Sequence, residues 1–229
     1  MTPTTAEDRA ALAAFTGRAR LFPLPNLVHF PGVDQGLHIF EHRYRQLTAD
    51  ALASDQLVAL VLLKPDWEDG YDECPAIEQV ACLGRIVNPE KLDDGRYNYQ
   101  LRGLARIRLN AEIPSTGKLY RIAESTVIPE TPIVEIAEAK RVRSELRETI
   151  LGRFEPGGRA FKQIAALFES EATLGYVCDM LGYSLPVALA LKQRILNEAD
   201  VAARAAIMVE ALKWKAREET EFPPLFSAN

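Results

Sequence analysis

The chain has 229 residues, of which 48% are hydrophobic, and it carries a net charge of −5 at pH 7. This acidic surplus argues against broad binding to nucleic acids or anionic membranes, although a local basic patch is compatible with it. The three cysteines form no Cys-x-x-Cys pair, which argues against a disulfide framework and against a thiolate zinc site.

The N-terminus lacks the pattern of a signal peptide, and no uninterrupted apolar run approaches the ~18 residues of a membrane span. Free thiols suit a reducing compartment. We therefore expect a cytoplasmic protein without a membrane partner, and we expect neither a cofactor nor a metal.

The first part of the chain is predicted to be rich in β-strands. Residues 1–19 are interpreted as a leader, and residues 20–130 as a β-rich domain with one helix from Arg43 to Leu52. Asp94-Gly95 supplies the positive φ of a tight hairpin turn between two strands. Apolar runs and alternating patterns predict strands at residues 56–64, 79–88, 97–110 and 119–128.

The second part of the chain is predicted to be helical. At Thr131-Pro132 the apolar period lengthens, and Thr131 is expected to cap a helix that has Pro132 in its first position. Ser184 and Asp200 are expected to cap two later helices. We interpret residues 131–220 as a helical bundle and residues 221–229 as a tail.

Several short motifs follow one another in a fixed order along the first part. They include Leu21-Phe-Pro-Leu24, Leu37-His-Ile-Phe-Glu41 and Leu101-Arg-Gly-Leu104. In this order they resemble the Lon N-terminal domain, the substrate-recognition part of ATP-dependent Lon proteases. The resemblance implies an α+β fold, with a PUA-like β-rich pseudo-barrel followed by a C-terminal helical bundle. It assigns structural roles to Pro31, Glu41, Arg43, Tyr44, Gly84, Arg85, Arg102 and Gly103.

The same resemblance implies a function without catalysis. The sequence contains no Gly-x-x-x-x-Gly-Lys-Ser/Thr phosphate loop and too few residues for the family's serine-lysine protease domain. We therefore expect a free-standing, non-enzymatic recognition module that binds exposed apolar or unfolded polypeptide segments. Binding would use a hydrophobic surface or strand addition at a sheet edge. His42 departs from the family, which usually has proline at this position.

Residues His38 to His42 read as the zinc-protease pattern His-x-x-Glu-His. A zinc site of this type needs both histidines on one face of a helix, one turn apart. The resemblance instead places His38 on a strand and starts the helix near Glu41, which favours coincidence over a metal site. A zinc hydrolase is kept as one alternative function.

Charged side chains indicate two further candidate sites. Glu41, Arg43 and Arg102 form one candidate binding site, for which a structural role is the favoured alternative. Glu41 lies at a predicted helix start, and Arg102 from the strand motif Leu101-Arg-Gly is expected to pair with it. Arg102, Arg106 and Arg108 share one face of a predicted strand, which makes RNA binding a second alternative. The acidic composition and the lack of aromatic residues on that face argue against RNA.

The loop at residues 64–76 is acidic and contains Trp67 and Tyr71. Amphipathic aromatic side chains provide a large contact area and recur at interface hot spots. We predict this loop as the first region of partner contact, against the alternative that both aromatic residues only pack on the sheet. Cys74 has no histidine near it in the sequence and is expected to be inert.

Overall fold

The computed structural model describes residues 5–70, 74–114 and 117–221, without the side chains of residues 69, 70 and 214–221. The described residues combine helices with one sheet, so the expected α+β class is confirmed. The strands are β1 (Arg18–Leu24), β2 (Asp34–Ile39), β3 (Leu57–Leu62), β4 (Val80–Lys91), β5 (Tyr97–Ile113) and β6 (Ile122–Ile128). The helices are α1 (Ala6–Ala13), α2 (His42–Leu52), α3 (Ile136–Leu151), α4 (Arg159–Glu169), α5 (Leu174–Ser184), α6 (Leu189–Asn197) and α7 (Val201–Glu221).

The chain divides into two compact units. The first unit contains Met1–Pro129 and Asp179–Asn197, and the second contains Glu130–Cys178 and Glu198–Asn229. The second half of α5 and all of α6 therefore belong to the unit that holds the strands. The sequence-based division at residue 130 stays a prediction about domains. Hydrophobic periodicity could not predict that residues 179–197 belong to the first unit, because their contacts are with strands far away in the sequence.

The strands form one mixed sheet with the order β2-β5-β4-β3-β1-β6. Strand β6 pairs with β1 on one side and β5 on the other, so every strand except β2 belongs to a closed ring. The length of β5 makes this possible, since its first part pairs with β2 and its later part with β6. Strand β2 is left with one edge that pairs with no described strand.

The β4–β5 hairpin forms as the sequence predicts. Gly95 adopts a φ of +81°, and its N–H donates to the carbonyl of Leu92. Further along β5, a Cβ atom added to Gly103 would lie 2.1 Å from the carbonyl oxygen of Phe30. Gly32 donates its N–H to the Gly103 carbonyl at the same place. The loop before β2 can therefore cross β5 only because Gly103 has no side chain.

Among the described residues of the first unit, two clusters of apolar side chains pack on the helices α1 and α2. Strand β3 is buried along its whole length, as its continuous apolar run predicts. Tyr44, Leu47 and Ala51 attach α2 to one cluster, and this spacing of three and four residues places them on one helix face. Leu12 and Phe15 pack against the other cluster.

A buried carboxylate anchors α1 to the sheet. Asp8 is only 1% exposed, and it forms a capping box with Thr5. It accepts a hydrogen bond from Arg85 at 2.8 Å, and Arg102 lies 3.6 Å from its second oxygen. Burial alone would raise the pKa of Asp8, but the hydrogen bonds from Thr5 and Arg85 outweigh it and hold this pKa below its usual value. The segment predicted as a leader thus contributes a helix that is fixed to β4 and β5.

In the second unit, α3 contacts both α4 and α7. Arg204 on α7 is fully buried, and it donates to the Glu130 carboxylate and to the carbonyl of Glu198. Arg143 on α3 donates to the carbonyl of Phe168 near the end of α4. A buried arginine, Arg204, and a half-buried one, Arg143, therefore satisfy backbone carbonyls where helices and loops meet. Among the described residues, no helix is both long enough and apolar enough to cross a membrane.

Two of the three predicted helix caps are wrong. Helix α3 begins at Ile136 rather than after Thr131, because Thr131 forms a β-bridge with Asp200. Ser184 is the last residue of α5 rather than the cap of α6. Asp200 does cap α7, since its carboxylate accepts the N–H of Ala203 at 2.9 Å.

Candidate functional site

The first unit contains an open groove with a volume of about 640 Å³. One wall is a face of α6, where Leu189, Gln193 and Asn197 follow one another at intervals of four residues. The chain that leaves β3 at residues 62–68 forms a second part of the lining, together with Pro25. Ligand sites in proteins typically enclose ~300–1,000 Å³, so the groove is large enough for several side chains.

A tight turn brings Trp67 to this groove. After Pro65, Asp66 adopts a φ of +63°, a left-handed conformation that aspartate tolerates better than most residues. The turn leads directly into the 3₁₀ helix Trp67–Gly70, in which Trp67 is half-buried. Tyr71, the second predicted contact residue, lies outside the described residues. The role of Trp67 in binding a partner stays a prediction, but its position in the lining of a groove is now defined.

Gln193 is the buried polar residue of the groove, with 4% of its surface exposed. Its Nε2 donates to the carbonyl of Val80 at 2.9 Å and to Oδ1 of Asn197 at 2.8 Å. Its Oε1 is buried and accepts no hydrogen bond from any described residue. Sequence analysis missed this position, because a glutamine on an amphipathic helix belongs to no motif. Only the contact of α6 with β4 reveals it.

Charged residues of both signs line the groove. Lys64, Asp66, Glu68 and Arg194 are exposed, and Glu78 is half-buried. Neither sign dominates, so the lining does not select a simple anion or cation. Together with the apolar surfaces of the prolines, the leucines and Trp67, this lining suits a ligand that is itself both apolar and polar.

The two histidines of the alternative zinc site lie on different elements. His38 is on β2, where its Nδ1 lies 2.7 Å from Oδ1 of Asn98. His42 is the first residue of α2. The two side chains therefore share no helix face, which the zinc-protease pattern requires. Within the described part of the chain, no group of three or more His, Cys, Asp or Glu residues is placed to hold a metal ion.

Glu41 occupies the N-cap of α2, but its expected pairing with Arg102 is wrong. Arg102 instead binds both oxygens of Asp34, at 2.8 and 3.0 Å. The β2–β5 register sets Asp34 directly opposite Arg102, so this carboxylate is the nearer one. Glu41 pairs with Arg43 at 2.8 Å, and the Arg43 guanidinium lies over the ring of Tyr44.

The basic face of β5 is not a continuous exposed surface. Arg106 is only 4% exposed, and it donates to both carboxylate oxygens of Asp179 and to the carbonyl of Leu196. Arg102 is engaged with Asp34, which leaves Arg108 as the exposed member of the three. The sequence pattern did not predict the burial of Arg106, because its partner Asp179 lies 73 positions away in the chain. The RNA-binding alternative therefore loses the surface on which it depended.

The remaining motif residues lie in the core of the first unit or at its turns. Tyr44 is buried, with its ring 4.1 Å from that of Phe22. Gly84 lies at a register shift in the β4–β5 pairing, and Arg85 is the ion-pair partner of Asp8. Pro31 lies within the turn that crosses Gly103, which the hydrogen bond from the N–H of Val33 to the carbonyl of Phe30 closes. None of these residues lines the groove described here, so the family motif and the groove are separate features.

A protein-family model for the substrate-binding domain of the ATP-dependent protease La (LON) matches residues 18–213. The chain belongs to this family. The resemblance found in the sequence motifs is thereby confirmed, and it extends over the helices as well as the strands. The family description concerns substrate binding rather than catalysis, and the Lon substrate-binding domain is a non-catalytic part.

Relatives of this Lon substrate-binding domain include much longer proteins. The Lon protease of Anaeromyxobacter dehalogenans (strain 2CP-C) is 22% identical over 195 residues, or 85% of this chain. Lon protease 2 of Myxococcus xanthus is 25% identical over 198 residues, again 85% of this chain. The chain spans 23% of the length of each of these proteins.

Two solved structures have the same fold. The N-terminal domain of Mycobacterium avium complex Lon protease matches with a TM-score of 0.67 and 17% identity, over 86% of this chain and 98% of that one. The Lon N-terminal domain protein from Xanthomonas campestris matches with a TM-score of 0.60 and 22% identity, over the same shares of the two chains. At these identities the similarity establishes the fold.

Proposed function

We propose that this domain is a non-catalytic recognition module that binds exposed apolar or unfolded polypeptide segments in the groove between α6 and the turn at Trp67. The observation that carries this proposal is the groove itself, whose lining combines a half-buried tryptophan with apolar, polar and charged side chains. Tryptophan is enriched at binding hot spots because it offers a large amphipathic contact area. The substrate-binding description of the family supports a polypeptide as the ligand.

The mixed lining supports the same ligand class. A polypeptide segment presents apolar side chains, peptide groups and charged side chains together, and the groove has a surface for each. Leu189 and Pro25 are apolar, Gln193 is polar, and Lys64 and Glu68 lie exposed in the lining. By the same family resemblance, we propose that the strand ring is a PUA-like pseudo-barrel, that the second unit is a helical bundle, and that the domain works in the cytoplasm.

A binding assay with one labelled peptide tests this proposal. The probe is a fluorescein-labelled peptide of alternating glycine and serine with a central Leu-Phe-Leu, titrated with the protein and followed by fluorescence anisotropy. Trp67→Ala is expected to weaken binding by about tenfold, which is the scale of a hot-spot truncation. Because Trp67 and Trp214 are the two tryptophans of the chain, a Trp214→Phe background also isolates Trp67 fluorescence, which should shift to shorter wavelength on binding.

Phe40→Ser is the matched control for this assay. Phe40 is 63% exposed and directly follows β2, so its truncation also removes an exposed aromatic side chain, but one that does not line the groove. The Phe40→Ser variant should bind the peptide with the affinity of the wild type. The melting temperatures of Phe40→Ser and Trp67→Ala should both equal that of the wild type. Loss of binding in Phe40→Ser, with Trp67→Ala binding as the wild type does, would refute the groove and place binding at the β2 edge.

A further inference from the structure

Residues 132–136 form an exposed apolar segment that leads into α3. Val134 is 91% exposed and Ile136 is 73% exposed, which makes them the two most exposed large apolar side chains among the described residues. Glu135 between them has an extended backbone, with φ −78° and ψ 121°. Because side chains two residues apart in an extended chain point to the same side, Val134 and Ile136 present a shared apolar surface to solvent. Contiguous apolar surface of this kind is typical of a protein–protein contact.

Both ends of the 132–136 segment are fixed. Thr131 before it forms a β-bridge with Asp200, and the carbonyl of Thr131 accepts the N–H of Val201 at 3.0 Å. Pro132 restricts the backbone at the start of the segment, and α3 begins at its last residue. A short segment that is held at both ends loses little conformational entropy when it binds, so its exposed side chains are preorganised for a contact.

The 132–136 segment has the mixed chemistry of a ligand for the groove. Its apolar side chains match the apolar surface that Trp67, the prolines and the leucines provide in the lining. Glu135 adds a carboxylate that makes no capping hydrogen bond to α3, and the charged residues of the lining include the exposed cations Lys64 and Arg194. A groove contacts a bound segment from more than one side, so the apolar and the charged contacts can form together. Every copy of the protein carries both the groove and the segment.

We propose that the groove of one copy binds the 132–136 segment of a second copy. Val134 and Ile136 bury their side chains against the apolar lining at Trp67, and the Glu135 carboxylate pairs with a cation of the groove. Self-association therefore competes with other polypeptides for the same groove. This inference rests on the proposed polypeptide-binding function and names one partner for that groove. A single contact of this size is small, so the association is weak and depends on protein concentration.

Sedimentation velocity at increasing protein concentration measures the self-association. The double variant Val134→Ser/Ile136→Ser is expected to weaken it by about tenfold, because the apolar side chains that enter the groove are removed. The matched control Leu119→Ser/Val127→Ser truncates two exposed apolar side chains outside the segment and outside the groove lining, and it should associate as the wild type does. A wild type that stays monomeric at every concentration would overturn the inference, as would equal effects of the two double variants.

Glu135→Lys tests the charged contact. The substitution places a cation where the lining offers Lys64 and Arg194, so self-association should weaken by about tenfold. Glu155→Lys makes the same charge reversal at an exposed glutamate beyond the end of α3 and serves as the control. Equal self-association of the two variants would overturn the pairing of Glu135 with the groove.

A mixture of two defective variants tests whether the groove meets the segment. Trp67→Ala keeps an intact segment, and Val134→Ser/Ile136→Ser keeps an intact groove. When Trp67→Ala is labelled with fluorescein, it should bind the double variant about tenfold more tightly than either variant binds itself, since one groove and one segment remain. A contact between two grooves, or between two segments, gives no such rescue, and its absence would overturn the inference.

The outcomes separate this inference from the proposed function. If Trp67→Ala weakens binding of the Leu-Phe-Leu probe but leaves self-association unchanged, the groove binds polypeptide and the inference alone fails. If Trp67→Ala changes neither, both fail. If Val134→Ser/Ile136→Ser raises probe affinity equally at every protein concentration, the segment occupies the groove of its own chain, and the inference fails. If Trp67→Ala weakens both and excess unlabelled probe dissociates the self-associated wild type, the second copy is a ligand of the groove.

Discussion

Two polar clusters attach the segment Asp179–Asn197 to the strands of the first unit, and they differ in how completely they are paired. Arg106 joins β5 to Asp179 and to the carbonyl of Leu196, so a buried carboxylate and a backbone carbonyl each find a donor. Gln193 joins α6 to β4 through the carbonyl of Val80 but leaves its own Oε1 without a donor. Both side chains are almost fully buried, so burial alone does not separate a structural contact from a binding group.

The position of a buried polar atom without a hydrogen-bond partner determines whether that atom can affect ligand binding. His29 Nδ1 and the Tyr99 hydroxyl are also buried without a hydrogen-bond partner among the described residues. Neither residue lines the groove, whereas Gln193 does. An unpaired atom away from any cavity lowers stability without giving access to a ligand. We therefore expect the Arg106 cluster to affect stability, the groove that Gln193 lines to affect binding, and His29 to make stability depend on pH.

The largest expected effect is on the fully paired cluster. Arg106→Ala should lower the free energy of unfolding by about 3–5 kcal/mol, because it leaves the buried carboxylate of Asp179 without its cation. Urea denaturation measures this change. Arg108→Ala, which truncates the exposed arginine two residues along β5, serves as the control and should change stability little. Equal effects of the two substitutions would contradict the structural role of Arg106.

A smaller effect is expected at His29, whose unpaired nitrogen does not belong to the lining of the groove. Burial lowers the pKa of His29 from 6.5 to about 4, despite opposing contributions from the Val33 carbonyl and Asp34. Between these values the unfolded chain binds a proton that the folded chain does not, so stability falls as the pH drops from 6.5 towards 4. The loss attributable to His29 should approach ~3 kcal/mol at the lower end.

Urea denaturation across this pH range checks the contribution of His29. In His29→Gln the titrating group is absent, so stability should fall less steeply with acid than it does in the wild type. His38→Gln makes the same substitution at an exposed histidine and serves as the control. Parallel curves for the wild type and His29→Gln would show that His29 does not remain neutral in the folded state.

The smallest effect concerns an N–H at the start of a helix, where no intrahelical partner is required. His42 is the first residue of α2, and Glu41 before it is extended at φ −66° and ψ 137°, which a following proline permits. His42→Pro should therefore stabilise the protein by about 0.4–1 kcal/mol, because it restricts the unfolded chain without removing a helical hydrogen bond. Thermal unfolding measures this gain. A clear loss of stability would show that the N–H of His42 has a structural role.

The parts of the fold that depend on local sequence could be predicted. Asp94-Gly95 marks the hairpin, the apolar run at residues 56–64 marks β3, and the cap at Asp200 marks α7. Thr131 carries the signal of a cap as well, but its pairing with Asp200 overrides that preference. A distant partner therefore explains the failure at Thr131, whereas at Ser184 the cap fails because the hydroxyl donates to the carbonyl of Met180 within α5.

The candidate site could be predicted only in part. Trp67 was singled out because an amphipathic aromatic residue in an acidic loop offers a large contact area, and its binding role stays a prediction. Gln193 was not found, because its significance arises from a contact with Val80 more than a hundred positions away. Arg106 was misassigned for the same reason, since the alternation along β5 places it on a polar face that Asp179 then covers. The contacts of Gln193 and Arg106 are with residues distant in the sequence, and local sequence patterns do not reveal such contacts.

The most direct test of the account is a map of where the peptide binds. Isotope-labelled protein is titrated with the Leu-Phe-Leu probe, and amide chemical shifts are followed by NMR. The account predicts that the largest changes occur at Trp67, at α6 and at the side-chain amides of Gln193 and Asn197. Changes confined to β2 and Phe40, with α6 unaffected, would contradict it.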